Sequence, residues 1–254
     1  MKIPQIIFRE MTLEENINII KWAYFENNES LDVHSLTLQY FPKLASIDNT
    51  LSQNEIYHII EQIVTDKYDD NKEKIKEETK RYNDIWSKYN DVYFEALSKY
   101  LNMKWPENIK TIDASVGLIP VFPRYLESNS FALSTEVVEE EVIATAAHES
   151  LHFFWFKKWK ELYPNCPIRE YDSPHLVWQY SEMVTDPILN SKEINKVLNI
   201  EEKAYDSFYE IIDNNTLLMD NLKEIYLKDI TIEEKIIEGF DYVKSVLENK
   251  SKKK

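Results

Sequence analysis

The chain has 254 residues, with 45 Asp and Glu against 30 Lys and Arg, and a formal net charge of -15. That balance argues against nucleic acid and anionic membrane as partners, because both would be repelled. Only two glycines occur, Gly117 and Gly239, so glycine-rich phosphate loops and dinucleotide fingerprints are excluded.

The opening stretch Met1–Glu10 has too short an apolar run for a secretory signal, and no later stretch is apolar enough to read as a membrane span. Thr12-Leu13-Glu14-Glu15 is a capping box that opens a helix to about Glu26, with Ile17, Ile20 and Tyr24 on one face. A second helix is expected from Ser52 to about Tyr68. A longer one is expected from about Asn71 to Leu101, where Ile75, Tyr82, Ile85, Trp86, Tyr89, Val92, Tyr93 and Tyr100 recur near helical spacing. The charged run Asp69–Lys74 reads as a solvated face. Trp105-Pro106 then marks the expected boundary between a helical N-terminal lobe, 1–106, and a second lobe, 107–254.

The β signal lies just beyond that boundary. Lys110–Phe122 is apolar and partly β-branched, with Gly117 and Pro120 marking bends or bulges, and Ser130–Ser134 is a second short strand. A helix follows from Ser134 or Thr135, as N-cap, to about Leu162, with acidic residues in its first turn. Its centre, Val142–Ala147, is small and apolar, and Phe153-Phe154-Trp155-Phe156 follows further on.

Between these apolar stretches stands His148-Glu149-Ser150-Leu151-His152, an H-E-x-x-H sequence. Residues four apart share a helix face, so both imidazoles can be aimed at one point, as two corners of a tetrahedral zinc site. Glu149 is placed to take a proton from the water that such an ion activates. In a core helix, two histidines and a glutamate would be costly without partners or a metal. The competing reading is two histidines that merely pack.

A third protein ligand is needed. The metzincin pattern would place Gly at 155 and His at 158, where the chain has Trp155 and Lys158. The favoured ligand is Glu182, on a helix that Ser173 caps and Pro174 begins. Its rivals Glu170 and Asp172 fall in a loop punctuated by Pro164, Pro167 and Pro174, and a helix places a ligand more reproducibly. Asp186, four residues after Glu182, is expected on the same face, where its carboxylate can accept the second ring N–H of a ligating histidine.

With its H-E-x-x-H and a following helix that carries E-x-x-x-D, the chain resembles the gluzincins, the thermolysin-like zinc peptidases. The residues that match are His148, Glu149, His152, Glu182 and Asp186, within about residues 130 to 190. The resemblance implies that His148, His152 and Glu182 bind one Zn²⁺, that Glu149 is the general base, and that Asp186 supports a ligand histidine. Gln179-Tyr180-Ser181 stands where glycines and an asparagine often precede the glutamate in that family. The family also binds extended substrate along a strand edge, a part that falls here to Ser130, Phe131 and Ala132. A peptidase further needs an oxyanion donor. His175, about two helical turns before Glu182, is one candidate, beside Tyr163, Tyr171, Tyr180, Tyr205, Tyr209 and Tyr242.

Pro187 is expected to end or kink the Glu182 helix. Helices then follow at about 191–198, 201–213, 216–228 and 232–249, the last opened by a capping box of Thr231 and Glu234. The lysines at the end read as a solvated tail. The single cysteine, Cys166, cannot form an internal disulfide and reads as a plain thiol, which points to the cytoplasm. The expectation is therefore a mainly helical α+β protein: a zincin-like lobe, its short β-sheet next to the active-site helix, and a helical N-terminal lobe. Its expected function is zinc-dependent peptide hydrolysis, with a peptide or protein as substrate. The alternatives are a regulatory protease with one dedicated partner, a non-catalytic metal-binding protein, and a helical interaction protein.

Overall fold

The structure is a computed structural model that describes residues 3–26 and 32–251. Lys252, Lys253 and Lys254 of the expected basic tail lie outside these residues. The protein is α+β and mainly helical, with a small mixed sheet. It divides into two compact units that interleave along the chain, so the division does not follow the expected boundary at 106.

The first unit holds Gln5–Lys88 and Ile109–Val142. It is built from strand β1 (Gln5–Glu10), helices α1 (Leu13–Phe25), α2 (Val33–Tyr40), α3 (Gln53–Asp70) and α4 (Lys72–Trp86), and strands β2 (Thr111–Gly117), β3 (Arg124–Tyr125) and β4 (Ser130–Ser134). β1 was not foreseen, because its run of apolar residues is short and abuts the helix signal. It pairs parallel to β2, with Phe8 opposite Ala114, and the sheet order is β1-β2-β4-β3. The outer side of β1 is covered at Phe8, whose N–H and C=O are both bonded by the Asn83 side chain of α4 (3.1 and 2.8 Å).

Met11, Ile19, Ile20, Tyr24, Ile56, Ile60, Leu118 and Ile119 form the core of this unit. Gly117 is fixed by close packing rather than by a bend. A Cβ there would lie 2.5 Å from Met11 Sδ and 2.8 Å from Asn16 Oδ1, and that same Oδ1 accepts the Leu118 N–H at 2.8 Å.

α1 opens on the expected box. Thr12 Oγ1 accepts the Glu15 N–H at 3.2 Å, and the Glu15 carboxylate accepts the Thr12 N–H at 2.8 Å. The Arg9 guanidinium grips both carboxylate oxygens at 2.9 and 2.6 Å. This grip is the main reason that the Glu15 carboxyl falls from an ordinary 4.5 to about 2. A depressed carboxyl stabilises the fold above its unfolded pKa, and that stability is lost as pH falls through the folded value. Because the pair is largely exposed, screening limits its worth, and Glu15→Gln should cost about 1 kcal/mol at neutral pH. In urea unfolding the difference from wild type should be full above pH 4.5 and vanish near pH 2.

The second unit holds the chain start through Pro4, Tyr89–Asn108 and Ile143–Lys254. Its helices are α5 (Asn90–Tyr100), α6 (Glu139–Leu162, within which the division falls), α7 (Leu176–Met183), α8 (Thr185–Leu189), α9 (Lys192–Leu198), α10 (Leu218–Leu227) and α11 (Ile232–Ser251). A small hairpin of β5 (Ile212–Asp213) and β6 (Thr216–Leu217) completes it.

Four expectations are corrected. The helix foreseen over 71–101 is two helices, parted at Ser87–Tyr89. α6 begins at Glu139, not after Ser134, because Ser134 is paired in the sheet opposite Gly117. α7 begins at Leu176, with His175 at its N-cap rather than Ser173. The helix foreseen over 201–213 is replaced by an irregular stretch, a 3-10 turn at Asp206–Glu210 and the hairpin. The hairpin turn is Asn214-Asn215, with φ of 48° and 68°, a conformation that asparagine tolerates far better than most residues. The Thr231–Glu234 box opens α11 as expected, through bonds of 3.2 and 2.8 Å.

This unit has an aromatic core. Trp155 stacks on Trp159 at 5.3 Å, Phe240 meets the Trp159 ring at 4.7 Å, and Trp105 meets Phe154 at 4.2 Å. Gly239 on α11 faces the Tyr180 hydroxyl, which donates to the Ile236 carbonyl and contacts the Tyr226 hydroxyl, both at 3.0 Å. A methyl at position 239 would collide with that oxygen, and Tyr180 is fully buried and cannot retreat. Gly239→Ala should therefore destabilise the protein by about 2 kcal/mol, read as a lower denaturation midpoint at unchanged slope.

Candidate metal centre

α6 carries the H-E-x-x-H residues through the middle of the second unit. The Tyr93 hydroxyl of α5 donates to the Ala147 carbonyl at 2.7 Å and fixes the helix one residue before His148. His152 is fully buried, and its ring stacks on Phe156 at 6.0 Å. The His148 side chain keeps one fifth of its surface exposed. Helical spacing brings the two rings together, with centroids 4.8 Å apart and the two Nε2 atoms 3.0 Å apart.

Glu182 comes from α7, on the buried face with Val177, Tyr180, Ser181 and Met183. Its Oε2 lies 3.3 Å from His148 Nε2 and 3.4 Å from His152 Nε2. Three potential ligand atoms thus form a triangle with edges of 3.0, 3.3 and 3.4 Å. Zn–N and Zn–O bonds of about 2.0–2.2 Å at tetrahedral angles require ligand atoms about 3.3–3.6 Å apart. Among the described residues these three form the one cluster of His, Cys, Asp and Glu able to hold a metal ion. The rival Glu170 lies in a 3-10 turn (Ile168–Tyr171), Asp172 directly follows that turn, and neither belongs to the cluster.

Charge points the same way. Glu149, Glu182 and Glu202 are all buried, at 8, 3 and 9 % exposure. Three carboxylates around two neutral imidazoles carry a charge of -3, which is expensive in a desolvated place unless a cation compensates it. Burial alone would lower the His148 pKa, but hydrogen bonds from Glu182 and Glu202 and the nearby Glu149 charge outweigh it and hold the pKa well above the usual 6.5. A single proton on one Nε2 can serve only one edge of the triangle, whereas a dication at its centre engages all three atoms. The residues present therefore fit Zn²⁺.

Glu202 was not foreseen. Its Oε1 lies 2.8 Å from His148 Nδ1, the position expected for Asp186. Asp186 is instead turned away, because the helix breaks at Val184, between α7 and α8. Pro187 causes this break, since it lacks an N–H and crowds the carbonyl four residues back. Asp186 Oδ1 accepts Asn190 Nδ2 at 2.7 Å, and its Oδ2 takes the Tyr209 hydroxyl and Lys223 Nζ, the latter at 2.7 Å. Glu202 lay in a segment read as helix, and nothing in its local sequence sets it apart from Glu201.

The other candidates are placed as follows. The His175 ring is 42 % exposed and faces Glu170 at 4.0 Å, apart from the metal-binding triangle. Tyr163 stacks on Trp159, Tyr171 stacks on Phe156, and Tyr205 packs on Trp178. Tyr180, Tyr209 and Tyr242 spend their hydroxyls on Ile236, Asp186 and Asp213. All six tyrosines are thus engaged in packing or internal hydrogen bonds.

In the first unit, Ser130 and Phe131 pair with β2 on one side and with β3 on the other, and the Ala132 N–H bonds the Pro123 carbonyl at 3.0 Å. These three residues are interior to the sheet and do not form a free edge, because the chain folds back through 118–125 to cover them. No helix among the described residues is long and apolar enough to cross a membrane. No protein-family model, no curated protein and no solved structure matches the chain.

Proposed function

We propose that this protein is a zinc-dependent peptidase of the gluzincin type. The observation that carries the reading is the triangle of His148, His152 and Glu182, with edges of 3.0–3.4 Å, on a helix whose next residue after the first histidine is Glu149. Three protein ligands leave one tetrahedral position open, which is the arrangement of catalytic rather than structural zinc. The exposed fifth of His148 gives that position a path to solvent.

His148, His152 and Glu182 would hold the ion. When bound, zinc supplies Lewis acidity, which acidifies water and polarises a carbonyl. Glu149 accepts the proton from the attacking water and delivers it to the leaving amine. Its burial keeps this carboxylate in a desolvated setting that favours proton transfer. The substrate in this reading is a peptide or protein, and the single cysteine fits a reducing compartment such as the cytoplasm.

The test joins metal content to turnover. Purified protein should carry one zinc per chain by elemental mass spectrometry and cleave members of a fluorogenic peptide library. Stripping the metal with a chelator should abolish cleavage, and zinc should restore it. Failure to retain zinc even after its addition would overturn the reading. One zinc without cleavage across the library would replace the peptidase with a metal-binding protein.

A further inference from the structure

We propose that Glu202 is the positioning residue of this metal centre, and that Asn190 and Asp186 are the groups that set it in place. The inference rests on the zinc reading above and names parts of the site outside the H-E-x-x-H and E-x-x-x-D residues.

Glu202 sits in the irregular segment after α9, three residues beyond Asn199, which ends that helix in the left-handed conformation at φ 51°. Nothing in such a segment fixes a side chain by itself. Here the backbone of Glu202 is gripped by a side chain: Asn190 Nδ2 donates to its carbonyl at 2.7 Å, and its N–H donates to Asn190 Oδ1 at 3.0 Å. The second Asn190 proton goes to Asp186 Oδ1 at 2.7 Å, so both ends of the amide are committed.

The same segment is held at a second point. The Ala204 N–H donates to the Tyr209 hydroxyl at 3.1 Å, and that hydroxyl donates to Asp186 Oδ2. Asp186 is thus the hub from which both grips are set, and Lys223 at 2.7 Å offsets its buried charge. The result is a carboxylate aimed at His148 Nδ1, on the opposite side of the ring from the Nε2 that faces His152 and Glu182. An Nδ1–H donated to Glu202 fixes the tautomer that leaves the Nε2 lone pair for a metal, and it locks the ring plane. Asp186 therefore supports the ligand histidine from one layer further out.

The test measures zinc affinity of the full chain by competition with a chromogenic chelator, together with the visible spectrum of the Co²⁺-substituted protein. Glu202→Ala should bind zinc about 10- to 100-fold more weakly. Glu202→Gln keeps an acceptor but loses the charge, and should fall between wild type and Ala with a shifted cobalt spectrum. Asn190→Leu touches no ligand, yet it should weaken zinc binding in the same direction. Circular dichroism of the metal-free variants checks that they fold; should Glu202→Ala fail there, the near-isosteric Gln variant carries the result. Wild-type affinity and an unchanged cobalt spectrum in Glu202→Gln and Asn190→Leu would overturn the inference while the metal centre stands. A wild-type chain that binds no zinc would overturn both.

Discussion

His152→Ala is expected to bind zinc about a hundred- to a thousandfold more weakly than wild type, and Glu182→Ala should follow closely. The free energy of a protein zinc site, about 10–16 kcal/mol, is shared among its ligands, so each is worth roughly 3 kcal/mol. His152 should show the larger loss. It is fully buried, and its removal also takes away the ring that stacks on Phe156, so both ligation and packing suffer. Glu182 presents the clearer case, because the metal-free protein holds it beside Glu202 and Glu149 in a cluster with excess negative charge. Glu182→Gln should therefore leave the stability of the metal-free chain unchanged or slightly raised, while removing the gain that zinc gives.

For wild type that gain is about 2.7 kcal/mol when free zinc is 100-fold above its dissociation constant. In a chain of this size it corresponds to a rise in Tm of about 5–10 °C. Differential scanning fluorimetry with and without zinc measures the shift for wild type and both variants side by side. Wild-type affinity in either variant would remove that residue from the centre. Loss with His152→Ala but not with Glu182→Ala would point to a different carboxylate, and Glu202 would be the first to try.

The parts of the site that could be read from sequence are those whose geometry is local. His148 and His152 meet because a helix repeats every 3.6 residues, and no tertiary contact is needed to predict that. Glu182 could be chosen over Glu170 and Asp172 because a helix on a buried face orients a side chain and a proline-punctuated loop does not. Asp186 was misplaced by the same rule. The four-residue spacing holds only while the helix continues, and the break at Val184 turns Asp186 toward Asn190 and Tyr209.

Glu202 could not be read at all, because its position depends on two side chains from elsewhere gripping an irregular backbone. The fold shows the same division. The capping boxes at Thr12 and Thr231 stand where the spacing put them, since they are three-residue events. β1 and the hairpin after Ile211 were missed because a short strand exists only through its partner, and β1's partner Thr111–Gly117 is a hundred residues away. That pairing also draws the chain start into a sheet with residues beyond 106, so a single cut in sequence could not describe the two units.

Glu149→Gln is expected to lower kcat/KM for peptide cleavage about a thousandfold and to leave one zinc per chain. The substitution keeps the shape and hydrogen-bonding reach of the side chain and removes only its ability to take a proton. General acid–base groups contribute about 10²- to 10⁴-fold, and a thousandfold loss corresponds to about 4 kcal/mol of transition-state stabilisation. Because the proton moves only as the reaction proceeds, the loss should fall on kcat, with KM little changed. Zinc affinity should stay within a few-fold of wild type, since Glu149 is buried beside the triangle but is not one of its corners. The pairing of unchanged metal with lost turnover separates a general base from a ligand, which would lose both. It also separates a general base from a packing residue, which would lose neither. A Glu149→Gln protein with full zinc and more than a tenth of wild-type activity would remove Glu149 from the proton-transfer role and leave the chain a metal-binding protein whose base lies elsewhere.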